Sequence, residues 1–425
     1  MVGIKLLLNK KMSIKNKIPS FDKPNYVYIP LVNHTNLACE CCVKKGDKVY
    51  KGSVIGRRND HFQLPIHASV SGTVVGIEER PYLNGALVKC VVIENDFKEK
   101  VVDNFPPKKD ITDYTAREFV NILRDCGIVG MGGSGFPTYV KYDTKMPINT
   151  ILVNGVECEP YITADYVLMR DHAEEILECI DAILEITGAT KGIIAIKVHQ
   201  PEIKKEFKKY MGTYPNIELI EVADLYPSGW EKSLIKQVLN IDYDKLPIEK
   251  GVVVNNVSTI YAIYEALKYH KPVMEKIITI TGDKIEKPQN VVVKIGTQVK
   301  DLIDYIGGIK PGNKIKLIAG GPMMGVAILT DDLVVSNNLN CLLIMENQNE
   351  HPYIECMRCG KCVNICPAKL SPVLIKNNVN NVEYLKYLQP EKCIECGLCS
   401  YICPSKVDVR EYVKKAKLKR GEKNE

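Results

Sequence analysis

Two cysteine runs with the same spacing lie near the end of the 425-residue sequence. They read Cys356-Met-Arg-Cys359-Gly-Lys-Cys362-Val-Asn-Ile-Cys366-Pro367 and Cys393-Ile-Glu-Cys396-Gly-Leu-Cys399-Ser-Tyr-Ile-Cys403-Pro404. A small secreted scaffold would use such cysteines for disulfides, but in a chain of this length repeated C-x2-C spacing indicates metal binding. We therefore predict that the last segment of the chain folds around metal held by eight thiolates.

The complete C-x2-C-x2-C-x3-C-P pattern, present twice, predicts two [4Fe–4S] clusters in which the fourth cysteine of each run binds the cluster of the other run. One site would hold Cys356, Cys359, Cys362 and Cys403, and the second would hold Cys393, Cys396, Cys399 and Cys366. Zinc is the alternative, because closed four-thiolate sites also bind it, but two full runs with both prolines favour iron–sulfur. Two adjacent clusters without an open iron predict transfer of single electrons.

Outward from the cysteine runs, the hydrophobic pattern divides the chain into four segments. Several domains are expected, because a chain of 425 residues is too long to fold around a single hydrophobic core. Residues 25–105 alternate short apolar runs with Gly and Asn turns, which predicts a small barrel or sandwich. Residues 111–270 alternate helix-length segments with buried strands, the pattern of a mostly parallel, Rossmann-like α/β layer. Residues 275–345 predict a compact β-grasp module, and residues 350–412 contain the cysteine runs. The fold class is therefore multidomain, with α/β and β parts.

The N-terminal segment pairs Val43-Lys-Lys-Gly-Asp-Lys-Val49 with His67-Ala-Ser-Val-Ser-Gly-Thr-Val74. This pairing resembles the lipoyl- and biotinyl-type hammerhead, a barrel-sandwich hybrid. That family carries its cofactor on a lysine at the hairpin tip, whereas Ala68-Ser69-Val70-Ser71 stands there in this chain. We therefore expect a scaffold rather than a swinging arm.

A glycine-rich stretch follows the first predicted helix of the α/β segment: Gly130-Met-Gly132-Gly133-Ser134-Gly135-Phe136-Pro137. Bare backbone amides in such a loop can approach a phosphate or a flat ring, although a tight structural turn explains the glycines as well. Asn154-Gly-Val-Glu157-Cys-Glu159-Pro160 ends the next predicted strand, and Asn255-Asn256-Val-Ser258-Thr259 ends a later one. Because ligands of open α/β sheets bind at the carboxyl ends of strands, these residues predict a binding site.

These motifs, together with Gly320-Gly-Pro-Met-Met-Gly325 and the double cysteine run, occur in an order that resembles the RnfC family of Rnf-type ferredoxin:NAD oxidoreductases. The central part is similar to the flavin- and NADH-binding subunit of respiratory complex I. The resemblance implies a barrel-sandwich domain at 25–105, an FMN- and NADH-binding Rossmann-like domain at 111–270, a soluble-ligand-binding β-grasp domain at 275–345 and a two-cluster ferredoxin-type domain at 350–412.

The same resemblance implies which residues surround the cofactors. FMN would rest against Gly130, Gly132, Gly133 and Gly135, with Lys141 near its phosphate. The ribityl chain and phosphate would be surrounded by Asn154, Glu157, Asn255, Asn256 and Thr259. Phe136 and Glu159 would face the nicotinamide nucleotide. No catalytic side chain is implied, because a flavin both takes hydride from NADH and passes single electrons to clusters.

Two positions depart from the family pattern near the expected nucleotide site. Val167 stands where the family has an arginine, so a charge is missing there. Trp230, the only tryptophan, replaces a small residue in Tyr226-Pro-Ser-Gly229-Trp230-Glu231, and its bulk is expected to narrow or close the nicotinamide pocket. The prediction of NAD(H) as substrate therefore depends on Trp230 leaving room for it.

The implied assembly is a peripheral subunit on the cytoplasmic, inner face of the cell membrane, docked to integral membrane and ferredoxin-like subunits and exchanging electrons with ferredoxin. No apolar run approaches the ~20 residues needed to span a bilayer, and the N-terminus lacks the features of a signal peptide. The net charge of +6 is concentrated in the basic tail Lys414–Arg420, where a solvated helix end is favoured over a docking patch for an acidic partner or a membrane. No nucleic-acid partner is expected.

Two other interpretations stay open at this point. The first is a soluble electron carrier that feeds a cytoplasmic reductase, similar to the proline-reductase-associated protein. The extra cysteines Cys39, Cys41 and Cys42, and the absence of the family's opening Gly-Ile-His-Pro stretch, favour this interpretation. The second is a non-catalytic iron–sulfur scaffold in which the glycine loop is only structural.

Overall fold

The computed structural model describes residues 3–14, 17–33, 39–83, 85–103, 109–312, 314–347 and 354–421. Residues 104–105 and 350–353, on which the predicted ends of two domains fall, lie outside the described residues. The strands of the described ranges form four sheets. Within the same ranges, no helix is both long enough and apolar enough to cross a membrane.

Two small antiparallel sheets form the N-terminal part. After the short β1 (Ser20–Phe21), its strands are β2 (Tyr26–Pro30), β3 (Glu40–Cys41), β4 (Lys48–Val49), β5 (Val54–Arg58), β6 (Leu64–His67), β7 (Gly72–Pro81) and β8 (Leu87–Asn95). One sheet has the order β2-β8-β7-β4 and the other β3-β5-β6, and Val27, Ile55 and Ile93 are buried in their common core. Strand β7 is much longer than β3, β4 and β6, because it pairs with β8 from Gly72 to Pro81.

A four-stranded parallel sheet with helices on both faces follows. In chain order its elements are α1 (Ala116–Asp125), α2 (Tyr139–Tyr142), β9 (Thr150–Asn154), α3 (Ala164–Asp171), α4 (Ala173–Thr187), β10 (Lys191–Lys197), α5 (Pro201–Tyr210), β11 (Ile217–Val222), α6 (Glu231–Leu239), β12 (Val252–Asn256) and α7 (Val257–Tyr269). The strand order is β11-β10-β9-β12. Ile151 and Val153 of β9 pack in the core that contains α4 and α7, whereas Leu152 packs on the opposite face with α6. This alternation places both layers of helices where the sequence pattern predicts them.

A six-stranded sheet forms the next part. Its elements are β13 (Glu275–Thr281), β14 (Gln289–Lys294), α8 (Val299–Tyr305), β15 (Ile315–Ala319), β16 (Val326–Ile328) and β17 (Cys341–Glu346), in the strand order β1-β14-β13-β17-β15-β16. Val299 and Leu302 of α8 are fully buried against Ile280 and Leu342. Strand β1 joins this sheet through pairing of Ser20 with Val292, a contact that a two-residue stretch gives no sequence pattern to predict.

Five helices surround the cysteine runs: α9 (Lys361–Asn364), α10 (Pro372–Asn377), α11 (Val382–Leu388), α12 (Leu398–Tyr401) and α13 (Val409–Gly421). Helices α9 and α12 each follow a glycine in the left-handed conformation, Gly360 with φ 75° and Gly397 with φ 77°. Helix α13 continues beyond residue 412 because Val413 and Ala416 pack into the same core as Ile375. The two runs therefore have the same local backbone inside one small core.

Candidate functional site

The glycine loop predicted from the sequence lies at the carboxyl end of the parallel sheet. Two backbone hydrogen bonds close it, from Gly130 N to the Phe136 carbonyl (2.8 Å) and from Gly135 N to the Gly130 carbonyl (3.0 Å). The Met131 amide donates to the Thr259 hydroxyl at 2.9 Å, which fixes the loop on the first turn of α7. Gly133 at its exposed tip has φ +110°, a conformation that glycine adopts without steric cost.

The loop lies directly against the ends of strands β9 and β12. A Cβ at Gly132 would stand 2.9 Å from Cγ of Asn256, so only glycine fits there without displacing that side chain. Asn256 is paired in register with Asn154, the last residue of β9. Asn154 Nδ2 donates to the Gly229 carbonyl at 2.8 Å, which holds the loop that carries Trp230 beside it. Two predicted asparagines and the glycine loop thus meet at one edge of the sheet.

Asp165 organises the side chains beneath this edge. Its carboxylate accepts hydrogen bonds from Asn256 Nδ2 (2.7 Å) and Ser258 Oγ (2.6 Å), and its backbone amide donates to Glu157 Oε1 (2.8 Å). Burial raises the pKa of Asp165. Asp165 is absent from the site residues expected from the sequence. The signal that could have indicated it is an acidic residue shortly after Glu159-Pro160, in the segment that forms the start of α3.

Glu157 is paired with a lysine from the far N-terminus. Lys10 Nζ donates to Glu157 Oε2 at 2.9 Å and to the Glu157 carbonyl at 2.8 Å, and it also donates to the Ile162 carbonyl. Burial raises the pKa of Glu157 to about 7, and the Lys10 charge opposes this shift. The two residues are 147 positions apart, so no local pattern in the sequence predicts their contact.

Glu159 faces the turn between β15 and β16. Its Oε1 accepts hydrogen bonds from the Met323 amide (2.7 Å) and the Met324 amide (3.0 Å). A Cβ at Gly321 would come within 2.1 Å of Glu159 Cγ, so the turn approaches the carboxylate closely only because glycine stands there. Burial raises the pKa of Glu159. This contact joins the parallel sheet to the six-stranded sheet.

Other predicted site residues lie behind this edge rather than at the cavity. Lys141 is half-buried and its ammonium donates to the Val254 carbonyl at 2.6 Å. Asn255 is buried and donates to the Tyr142 hydroxyl at 2.6 Å. The Phe136 ring packs edge-on against Phe62, with ring centroids 5.7 Å apart. In this structure these three side chains support the loop and the sheet, and their proposed contacts with FMN or nucleotide stay predictions.

A cavity of about 1010 Å³ connects the residues at this edge. The predicted site residues that line it are Gly132, Gly133, Asn154, Glu157, Glu159 and Asn256. Trp230 also lines the cavity but does not fill it. The volume of about 1010 Å³ is at the upper end of the range for sites that bind small ligands and cofactors. Ile394 and Cys396 line it as well, so the cavity extends from the glycine loop to the second cysteine run.

The eight predicted cluster ligands line two small cavities, four cysteines to each. One is lined by Cys356, Cys359, Cys362 and Cys403, and the other by Cys366, Cys393, Cys396 and Cys399. The fourth cysteine of each run therefore lies with the first three of the other run, the grouping that the spacing predicts. Burial raises the pKa of the Cys396 thiol to about 11 and that of Cys399 to about 12, so iron must displace these protons when it binds.

The ligands in the two cysteine-lined cavities are all thiolates, four to each cavity. Thiolate is the ligand that iron–sulfur clusters require, and the two complete runs with both prolines favour clusters over zinc. Among the residues that the structure describes, Cys39, Cys41 and Cys42 are not part of any group of three His, Cys, Asp or Glu side chains that could hold a metal ion.

The second cysteine run is held against the body of the protein by polar contacts. The Tyr226 hydroxyl donates to the Cys396 carbonyl at 2.7 Å, and Arg410 Nη1 donates to the Met323 carbonyl at 2.7 Å. A Cβ at Gly397 would lie 2.4 Å from the same Met323 carbonyl oxygen. Met323 thus stands between Glu159 on one side and the second run on the other.

Four family models match the chain in the expected order. They are the RnfC barrel-sandwich hybrid domain at residues 1–98, the Nuo51 FMN-binding domain at 123–265, the SLBB domain at 277–327 and the 4Fe–4S dicluster domain at 355–407. The corresponding subunit of the Na⁺-translocating ferredoxin:NAD⁺ oxidoreductase complex of Acetobacterium woodii is 36% identical over 363 residues, which cover 83% of this chain and 81% of the relative. The chain belongs to the RnfC family.

Other members of the RnfC family match over similar lengths. The subunit of the proton-translocating ferredoxin:NAD⁺ oxidoreductase complex of Clostridium ljungdahlii is 34% identical over 376 residues, covering 86% of this chain and 81% of the relative. The subunit of the ion-translocating oxidoreductase complex of Vibrio cholerae is 35% identical over 396 residues, which are 90% of this chain but 50% of that relative. The crystal structure of an NAD⁺-reducing [NiFe]-hydrogenase shares the fold with a TM-score of 0.50 at 15% identity, covering 74% of this chain and 65% of the other.

The matches confirm the predicted fold class and the predicted cofactor classes. An RnfC family member with an FMN-binding domain and a 4Fe–4S dicluster domain is an oxidoreductase component with the multidomain α/β and β architecture expected from the sequence. The large cavity fits a flavin in size, and the two groups of four cysteines fit iron–sulfur clusters in ligand chemistry. The assignment of individual side chains to FMN, nucleotide and iron stays a prediction.

Proposed function

We propose that the chain transfers electrons between NAD(H) and low-potential iron–sulfur carriers through FMN and two [4Fe–4S] clusters, as the peripheral subunit of an Rnf-type membrane complex. One observation carries this proposal. The same cavity is lined by the glycine loop at one side and by Cys396 at another. The predicted flavin site and one predicted cluster ligand therefore line the same cavity, as electron transfer between them requires.

Several residues of the chain shape the site and balance the charge around it. When bound, FMN supplies the conversion between hydride transfer and single-electron transfer. Gly132 and Gly133 leave the loop without side chains where a phosphate or ring would approach, and Asn154 and Asn256 present amides at the adjacent strand ends. Lys10 supplies a positive charge that offsets the buried Glu157 carboxylate below the cavity. No side chain needs to act as a general acid or base.

The two cysteine groups differ in their distance from this site. Cys396 and Ile394 line the large cavity and also the cavity of Cys366, Cys393 and Cys399. No residue of the other cysteine-lined cavity lines the large cavity within the described ranges. We call the first group the inner cluster site and the other, with Cys356, Cys359, Cys362 and Cys403, the outer cluster site. The arrangement supports the order NAD(H), FMN, inner cluster, outer cluster.

We place the subunit on the cytoplasmic face of the membrane complex, in contact with integral membrane and ferredoxin-like subunits. The pool of NAD(H) lies on that face, and the relatives from A. woodii and C. ljungdahlii are named as subunits of ion-translocating complexes. These relatives favour the complex over a soluble carrier that feeds a cytoplasmic reductase.

The test is anaerobic reduction of the purified, reconstituted full-length protein. We expect FMN to be released on acid denaturation, iron and sulfide for two [4Fe–4S] clusters, and an NADH-reducible cluster signal in electron paramagnetic resonance. Protein with no releasable flavin, or with clusters that dithionite reduces and NADH does not, would contradict the proposal.

A Trp230→Gly variant examines the nucleotide side of the same cavity. Because Trp230 lines the cavity without filling it, we expect the parent protein to be reduced by NADH and the variant to change the KM for NADH while keeping its FMN content. Reduction that appears only in the variant would show that the indole closes the pocket. Bound FMN, measured by fluorescence after denaturation, is the control for an intact flavin site.

A further inference from the structure

Lys276 of strand β13 is a buried cation that no carboxylate of the described residues neutralises. Three lysines are buried in the described ranges, and two of them have a carboxylate partner: Lys197 pairs with Asp224 at 2.9 Å and Lys294 pairs with Glu275 at 2.8 Å. Lys276 is 7% exposed, and within the same ranges no Asp or Glu oxygen lies within salt-bridge distance of its ammonium. A charge removed from water is costly unless an opposite charge compensates it. An anionic ligand at Lys276 would supply that compensation.

Two neutral acceptors hold the Lys276 ammonium beside the glycine loop. Its Nζ donates to the Asn337 carbonyl at 2.6 Å and to Asn340 Oδ1 at 2.8 Å, and an ammonium has three protons to donate. Asn340 Nδ2 lies 3.7 Å from the position that a Cβ on Gly133 would take, so one asparagine contacts both the ammonium and the tip of the loop. Lys276 also lines the large cavity. Its position is therefore fixed at the cavity while its charge is left uncompensated.

The large cavity contains many carboxylates and few cations. Among the described residues, the Lys and Arg side chains that line it are those of Lys276 and Lys414, and Lys414 belongs to α13 beside the cysteine runs. The carboxylates that line it are those of Glu157, Glu159, Asp165, Glu231, Glu265 and Glu275. These carboxylates would repel a phosphate in the cavity unless a cation lay beside it. At the end of the cavity with the glycine loop, Lys276 is that cation.

We propose that Lys276 binds the phosphate group of FMN, an inference that rests on the proposed function. Asp165 connects Lys276 to the strand ends of the predicted flavin site, because its carboxylate accepts hydrogen bonds from Asn256 (2.7 Å) and Ser258 (2.6 Å) and its charge also acts on the ammonium. Burial lowers the pKa of Lys276 to about 7, and the Asp165 charge opposes this shift. A phosphate beside the ammonium favours the protonated form further, so binding strengthens the charge that holds the ligand.

The family resemblance places a different lysine, Lys141, near this phosphate. Lys141 also has no carboxylate within salt-bridge distance in the described ranges, so charge alone does not distinguish the two lysines. Their positions do. Lys141 donates to the Val254 carbonyl at 2.6 Å and is not among the residues that line the cavity, whereas Lys276 lines it from the six-stranded sheet. The two lysines therefore give different predictions for a ligand that differs only in its phosphate.

The experiment compares FMN with riboflavin, which has the same ring and ribityl chain but no phosphate. The flavin-depleted, cluster-loaded full-length protein is titrated with each flavin without oxygen, and quenching of flavin fluorescence gives both dissociation constants. We expect the parent to bind FMN more tightly than riboflavin. Lys276→Met should reduce this preference at least about tenfold, because a hydrogen bond between charged groups is lost, and should change the affinity for riboflavin less than about threefold.

Two further variants locate the effect. Lys300→Met is the matched control, since it removes one positive charge from an exposed position on α8 in the same part of the chain, and it should change the preference for FMN less than about twofold. Lys141→Met examines the lysine that the resemblance implies, and we expect it to keep most of the preference. A preference that is lost in Lys141→Met and kept in Lys276→Met would overturn the inference.

Other outcomes separate the inference from the proposed function. Equal affinity of the parent for the two flavins would overturn the inference alone, and so would a Lys276→Met variant that keeps its preference for FMN and binds NADH more weakly. A parent that binds neither flavin would overturn the proposed function as well. If Lys276→Met does not fold, as judged by thermal unfolding, acetylation of Lys276 in the parent, followed by mass spectrometry, repeats the test. We expect saturating FMN to slow this acetylation more than saturating riboflavin does, and equal protection by both flavins would contradict a contact with the phosphate.

Discussion

The two cysteine runs have the same ligand spacing and the same backbone, but opposite surroundings. In each run the second ligand cysteine is followed by a glycine with left-handed backbone, Gly360 or Gly397. A Cβ added to Gly360 would meet nothing within 4 Å, whereas a Cβ added to Gly397 would lie 2.4 Å from the Met323 carbonyl oxygen. The next residue is exposed Lys361 in one run and fully buried Leu398 in the other. Ligand spacing therefore determines the cluster fold, and the residues between the ligands determine which cluster faces the protein and which faces outward.

The largest expected difference between the two runs is in which clusters NADH can reduce after a ligand is removed. Cys396→Ser removes a ligand of the inner cluster site, and we expect NADH to reduce neither cluster because the path from the cavity begins there. Cys359→Ser removes a ligand of the outer site, and we expect the inner cluster to stay reducible by NADH. Paramagnetic resonance of each variant after NADH and after dithionite measures this.

The dithionite spectrum also serves as the control, because it shows which cluster each variant has kept. If the Cys396→Ser protein retained an outer cluster that NADH still reduced, the proposed order of the two clusters would be wrong. The same result would remove the reason for treating the outer cluster site as the exit of the electron path.

A smaller effect is expected from the two glycines. Alanine at either position costs about 1–2 kcal/mol because both have left-handed backbone. At Gly397 the new Cβ also collides with the Met323 carbonyl, and such overpacking typically adds about 1–3 kcal/mol. Gly397→Ala should therefore lower the free energy of unfolding of the cluster domain more than Gly360→Ala does.

Loss of cluster absorbance with increasing denaturant, recorded without oxygen, measures the difference between these two variants. Because their φ angles are 75° and 77°, Gly360→Ala is a matched control for the backbone cost. Equal destabilisation would mean that the contact with Met323 relaxes without cost, and that the second run is not held tightly against the body of the protein.

The parts of the molecule that the sequence predicts well are those with local signals. The cysteine spacing gives the grouping of the ligands, and the alternation of helix-length segments with buried strands gives the α/β layer within residues 111–270. Asn154 and Asn256 meet because parallel strands end at one edge, a rule that needs no coordinates. In each case the information lies within a few residues or within the topology of one sheet.

The parts that the sequence does not predict depend on contacts between distant segments. Lys10 reaches Glu157, β1 joins β14 across some 270 residues, and Asp165 connects Glu157 to Asn256. Lys141, which the resemblance places near the FMN phosphate, donates to the Val254 carbonyl in this structure, and its contact with FMN stays a prediction. Such side-chain directions depend on packing that no periodic pattern encodes.

The smallest expected effect comes from removing a single hydrogen bond at the second cysteine run. Tyr226→Phe removes the hydroxyl that donates to the Cys396 carbonyl at 2.7 Å, and the loss of one buried hydrogen bond costs about 0.5–1.5 kcal/mol. The hydroxyl places a positive dipole end beside the inner cluster site and stabilises its more negative, reduced state. We therefore expect the midpoint potential of the inner cluster to fall while that of the outer cluster stays unchanged, as measured by redox titration. Tyr401→Phe is the control: its side chain is 53% exposed, and the substitution should change neither midpoint potential. Equal shifts of both potentials in Tyr226→Phe would mean that this hydrogen bond does not act on the inner cluster alone.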